Sequence, residues 1–192
     1  MLLICPAGSF PLNAIPEPVQ IISYLCITAP AVLSMKSVTI KELSQELTQR
    51  TPKELRDLCL RLARFKKENK ELLTYLLFES ADELSYVKSV KKVLDEEFDQ
   101  INRTSYYFIR KSVRKILKNT RKYIRYSQKK QTEVDMLLHF CTRLRHLSPP
   151  IQKNASLMNL YNRQIDTIIK KVAVLHEDLQ YDYNIELGDL TR

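Results

Sequence analysis

The sequence predicts an all-α protein of six to seven antiparallel helices, arranged as an irregular bundle or a short α-solenoid-like array. Three observations predict it. The 192 residues include only two glycines, Gly8 and Gly188, and five of the eight prolines fall in the first thirty positions. Between Pro52 and Pro149 the chain contains neither, although a sheet protein needs turn residues every ten or so positions. Over that span apolar residues recur at i, i+3, i+4, i+7, punctuated by N-cap signals, and the short connections favour antiparallel neighbours.

Ile40, Leu43 and Leu47 mark a short first helix. Thr51-Pro52-Lys53-Glu54 follows, with Thr as N-cap, Pro at the first helical position and Glu closing a capping box. The helix it opens carries Leu55, Leu58, Cys59, Leu62 and Phe65 on one stripe. A polar break at 66–70 precedes a helix holding Leu72, Leu73, Leu76 and Leu77. Ser80-Ala81-Asp82-Glu83 reads as a second capping box, opening a helix to about Gln100 through Leu84, Val87, Val90, Val93, Leu94 and Phe98. After Asn102 comes the stripe Tyr106, Ile109, Val113, Ile116, Leu117, Thr120, Ile124. Thr132 is the expected cap of the next helix, through Val134, Leu137, Leu138, Cys141 and Leu144, which Pro149-Pro150 ends. One long helix is expected from about Asn154 to Leu179, followed by an acidic, frayed tail from Tyr181. A faint internal echo, Leu58 to Phe65 against Phe140 to Leu147, raises the idea of a duplicated helical pair.

The segment 1–34 differs from the rest. It holds no Lys or Arg and a single acid, Glu17. As a signal peptide it lacks a basic n-region, and Pro16, Glu17 and Pro18 stand where the apolar region should begin. As a membrane helix its apolar run is shorter than the roughly 20 residues a bilayer requires. The expectation is therefore upstream sequence translated in frame, with a signal or anchor second, and a single helical domain over 35–192. Without Glu17 the charge rises from +9 to +10, from 31 bases and 21 acids.

Cys5, Cys26, Cys59 and Cys141 show no metal or redox spacing. Cys59 and Cys141 each fall on an apolar stripe and read as reduced core residues, which fits a cytoplasmic protein. His139 and His146 are seven apart, and His176 sits in a helix-end triplet. No phosphate loop, nucleophile elbow or zinc helix motif occurs, so neither catalytic residues nor a cofactor or metal is expected.

The outstanding feature is a basic helix at 103–130. Eleven bases and no acid lie between Ile101 and Gln131. At 100° per residue Arg110, Arg114, Lys118, Arg121 and Arg125 form one stripe with Lys122 beside it, a candidate surface for an anionic partner. Like charges at i, i+4 destabilise a helix, so something must neutralise them. One reading supplies acids from within: Glu79, Asp82 and Glu83 opposite 121–125, Asp95, Glu96, Glu97 and Asp99 opposite 103–111, and more from the acidic tail at Glu177, Asp178, Asp182, Glu186 and Asp189. The other supplies nucleic-acid phosphates, with exposed Tyr107, Tyr123 or Tyr126 stacking on unpaired bases. A membrane surface is not expected, because the apolar stripe is committed to a core.

The T-P-K-E-L start at Thr51, the K-E-N-K-E-L-L-T-Y-L break and the T-E-V-D-M-L-L-H-F-C run at Thr132 resemble small all-helical bacterial proteins grouped only as domains of unknown function. The resemblance covers much of 37–145, implies a bacterial, cytoplasmic, helical protein, and brings no site residue with it. The leading expectation is thus a non-enzymatic interaction or scaffold domain with a protein partner. Sequence-independent nucleic-acid binding through the basic helix comes second, and a helical enzyme third.

Overall fold

A computed structural model of the protein describes residues 37–191, so the expectations for 1–34 lie outside the described residues. The chain divides into two compact units at Arg50 and Thr51. In the first, α1 (Ile40–Thr48) begins with a capping box unread in the sequence. The Thr39 hydroxyl accepts the Glu42 N–H at 3.3 Å, and the Glu42 carboxylate accepts the Thr39 N–H at 2.7 Å. Ile40, Leu43 and Leu47 are all exposed on this helix.

The second unit holds α2 (Pro52–Phe65), α3 (Lys67–Thr74), a π-helical turn (Tyr75–Glu79), α4 (Glu83–Asp99), α5 (Tyr106–Ser127), α6 (Lys130–Arg145), a 3-10 turn (Ile151–Lys153), α7 (Ala155–Val172) and α8 (Glu177–Thr191). The described residues are thus all-helical, with eight α-helices and no strand. None of the helices among them is long and apolar enough to cross a membrane.

Several boundaries differ from the expected ones for local physical reasons. The Thr51–Glu54 box opens α2 as expected, with the Thr51 N–H donating to Glu54 at 2.8 Å. The break at 66–70 contracts to Lys66 alone, which is extended at φ −141° and ψ 143°. The second box is displaced: Asp82, not Ser80, caps α4 by accepting the Ser85 N–H at 3.0 Å. Glu83 is thereby released to point elsewhere. At the end of α5, Gln128 adopts φ 57°, the left-handed region where a residue other than glycine is uncommon. Thr132 does not cap α6 but lies buried inside it, donating to Glu83 at 2.6 Å.

The expected helix from Asn154 to Leu179 instead ends at Val172, and the tail is not frayed. Residues 173–176 turn, Gln180 donates its amide to the Leu175 carbonyl at 2.8 Å, and α8 begins. The reversal buries Tyr183, Leu187 and Leu190. Each large apolar side chain gains about 1.5–3 kcal/mol on burial, which outweighs the few helical hydrogen bonds given up.

The core centres on α6, which packs against α4, α5, α7 and α8. Val134, Met136, Leu137, Leu138, Phe140, Cys141 and Leu144 are all buried, so its apolar surface runs nearly all round. Phe140 meets Phe98 of α4 at 5.5 Å between ring centroids. By contrast, α2 packs on α3 and contributes no buried residue. Cys59 is therefore exposed, against the expectation of a core position, while Cys141 is buried. The two echoing segments, 58–65 and 140–147, occupy opposite environments, solvent in one case and the middle of the core in the other.

Candidate functional site

The basic helix is α5, and its burial pattern decides which bases meet solvent. Ser105 caps it, accepting the Tyr107 N–H at 3.1 Å. Ile109, Val113, Ile116, Leu117 and Thr120 face the core. A quarter-turn or more away, Arg114, Lys118, Arg121 and Arg125 are exposed, and Arg110 is half-buried at the head of the same row. Tyr107 continues that row toward the N-terminus and is also exposed, whereas Tyr123 is half-buried and Tyr126 buried. Only Tyr107 of the three tyrosines considered is left open on this helix.

The row forms one wall of a groove whose other wall is α7. A cavity of about 720 Å³ is lined by Arg114, Lys118, Arg121 and Arg125 from α5, Thr167 from α7 and Glu133 from α6. A second, of about 490 Å³, shares Arg114 and Arg121 and adds Ser156, Asn159, Arg163 and Gln164. Arg121 spans the groove, donating to Gln164 Oε1 at 3.2 Å. The one carboxylate on these walls, Glu133, is held by Lys171 at 2.9 Å, which leaves the groove cationic.

Neutralisation from within is partial: Glu83 pairs with Lys129, but Asp95 and Asp99 turn to α6. Asp95 pairs with His139 at 2.8 Å and with Arg143 at 3.1 Å, and Asp99 pairs with Arg143 at 2.5 Å. Glu97 accepts from the Asn119 amide at 2.6 Å. Glu83 accepts from Tyr75, Ser127, Thr132 and Lys129. Asp95 and Asp99 thus face α6, whereas Glu97 and Glu83 touch α5 and its end through Asn119, Ser127 and Lys129. Arg110, Lys111, Arg114, Lys115, Lys118 and Arg125 form no salt bridge among the described residues.

Lys122 is the exception within the candidate set. It turns away from the groove to Glu71 of α3, 2.6 Å from the carboxylate, and Tyr126 donates to the same carboxylate at 3.0 Å. Burial works against the charge on both groups. Even so, their mutual contact and the Tyr126 hydrogen bond hold Glu71 below the usual carboxylate value and raise Lys122. This trio fastens α3 to α5 and is not part of the open surface.

No family model, curated protein or solved structure matches this chain. The histidines are separated: His139 faces Asp95, the His146 ring meets the Thr142 carbonyl at 2.8 Å, and His176 lies 3.3 Å from Asp178. Among the described residues no three His, Cys, Asp or Glu side chains gather closely enough to hold a metal ion. Arg163, Gln164 and Thr167 were not anticipated. Arg163 is exposed, Thr167 half-buried and Gln164 buried at the edge of the α7 core face, and nothing in the sequence pairs them with α5.

Proposed function

We propose that this chain is a non-enzymatic interaction domain, an irregular bundle centred on α6, whose basic groove between α5 and α7 binds nucleic-acid backbone without sequence preference. One observation carries the reading. α5 holds a row of exposed cations at Arg114, Lys118, Arg121 and Arg125 that form no salt bridge among the described residues. Like-charge neighbours at i, i+4, such as Arg110–Arg114, Arg114–Lys118 and Arg121–Arg125, each cost a few tenths of a kcal/mol. Across the helix the penalty is about 1–2 kcal/mol. A polyanion laid in the groove reverses its sign.

Spacing supports the same partner. Successive cations of the row are three or four residues apart, or about 4.5–6 Å of rise, and Arg163 faces them from α7. A flexible chain of phosphates can follow such a track through charge alone. Tyr107 at the head of the row offers an exposed ring on which an unpaired base can stack. Specific base readout has no such support, since no side chain of the groove is held in a bidentate arrangement that selects one base.

The test is binding of generic single- and double-stranded oligonucleotides, followed by fluorescence anisotropy across a salt series. About four or five phosphate contacts predict a log–log salt slope of roughly −4 on duplex. The triple substitution Arg114→Glu, Lys118→Glu, Arg121→Glu abolishes binding, whereas Lys122→Gln leaves it within twofold because Lys122 is turned to Glu71. Absence of binding at low salt, or equal loss with Lys122→Gln, overturns the reading.

A further inference from the structure

We infer that the apolar face of α2 is a homodimer contact, in which two copies of the chain pair their α2 helices antiparallel about a two-fold axis near residue 60. The inference is independent of the basic groove. α2 is strongly amphipathic, yet it packs on α3 and contributes no buried residue. Leu58, Leu62 and Phe65 are 40%, 59% and 77% exposed, and Leu55 beside them is half-buried. They occupy one stripe less than a third of the way round the helix, with no charged residue inside it. A helix of this length gains its stability from burying such a face, and within its own unit the described residues supply only part of the cover.

The stripe is its own complement. Reversing the sequence about residue 60 exchanges Leu55 with Phe65 and Leu58 with Leu62. In an antiparallel pair, Leu58 of one copy therefore opposes Leu62 of the other, twice, with Leu55 opposite Phe65 at both ends. Self-complementarity of this kind is what an isologous two-fold contact requires. Area sets the strength. With about 150–250 Å² for each large side chain, the exposed parts of Leu58, Leu62 and Phe65 come to roughly 350 Å² per chain. Two copies remove about 700 Å² of this apolar surface, and rim side chains along the ~21 Å helix add to it. The total falls in the weak, transient class, below about 1,200 Å².

The experiment is sedimentation velocity of the full chain from about 1 to about 300 µM, where a weak, transient dimer assembles as concentration rises. The wild type should shift from monomer to dimer. Leu58→Lys and Leu62→Glu, both at exposed positions, should each stay monomeric with unchanged circular dichroism and Tm. Mixed in equal amounts they should recover a heterodimer, because position 58 of one copy then meets position 62 of the other with opposite charge and the second Leu58–Leu62 pair survives. Mixing that restores nothing overturns the antiparallel register. A wild type that is monomeric at every concentration overturns the dimer. A monomer that binds phosphatidylserine vesicles, and loses them on Leu62→Glu, assigns the face to a lipid surface instead.

Discussion

Substituting Glu83 should be among the most damaging single changes in the helical core, although Glu83 sits at the first position of a helix where most side chains are solvated. Its Oε2 accepts from the Tyr75 hydroxyl at 2.9 Å and lies 3.0 Å from the Lys129 ammonium. Its Oε1 accepts from Thr132 at 2.6 Å and also from Ser127. One carboxylate thus joins the π-helical turn, the start of α4, the end of α5 and the start of α6. In Glu83→Ala, Tyr75 and Thr132 are left as buried donors, 3% and 2% exposed, which solvent cannot readily reach. At about 1–3 kcal/mol for each stranded donor, and little for the half-exposed Lys129, the loss is about 3 kcal/mol. For a domain of this size that lowers Tm by roughly 6–12 °C.

Thermal unfolding followed at 222 nm measures this, with Lys129→Ala as a control expected within about 0.5 kcal/mol of wild type. The pH dependence gives a second check. Burial raises the Glu83 pKa, but the hydrogen bonds from Ser127, Thr132, Lys129 and Tyr75 outweigh it and hold the group below its ordinary 4.5. A depressed folded pKa adds stability that is complete above 4.5 and is lost as pH falls through the folded value. The gap between wild type and Glu83→Ala should therefore be constant near neutrality and narrow below about pH 4.5. A Tm within 2 °C of wild type, or a gap that ignores pH, refutes the account of Glu83 as the junction of four segments.

Two further outcomes follow from the packing. Burial pushes the Cys141 thiol up to about 12, so alkylation at neutral pH should spare Cys141 in the native state and reach it only on unfolding, while the exposed Cys59 reacts at once, as read by peptide mass mapping. Leu187→Ala, in the helix once expected to be a frayed tail, should cost about 2–4 kcal/mol in urea unfolding. A cost below about 0.5 kcal/mol would show that α8 is not part of the cooperative unit.

The all-helical class was legible because it rests on what the chain lacks, glycine and proline between Pro52 and Pro149, and on periodicities that local chemistry sets. Thr51 capped as read because its partner Glu54 is three residues away and no tertiary contact competes. Glu83 and Thr132 were misassigned for the opposite reason. Both look like caps in sequence, but across 49 residues they prefer each other. The end of α7 carried no breaker residue, so periodicity ran on past Val172; only the burial gained by Tyr183, Leu187 and Leu190 turns the chain there. Within the groove, the α5 row could be read from helical spacing. The contributions of Arg163 and Gln164 could not, because they depend on where α7 passes. The turn of Asp95 and Asp99 toward α6 rather than α5 had no sequence signal, since it depends on which helix packs against that side of α4.

The single-residue joint at Lys66 separates two kinetic regimes. α6 is enclosed by four helices, so its amides can exchange with solvent only when the whole core opens. α2 holds no buried residue and leans on α3, so it can detach and rejoin many times while the core stays intact. Within the second unit hydrogen exchange should thus be fast in α2 and slowest in the middle of α6. Rearrangements of α2 proceed on their own clock, without waiting for the core to unfold.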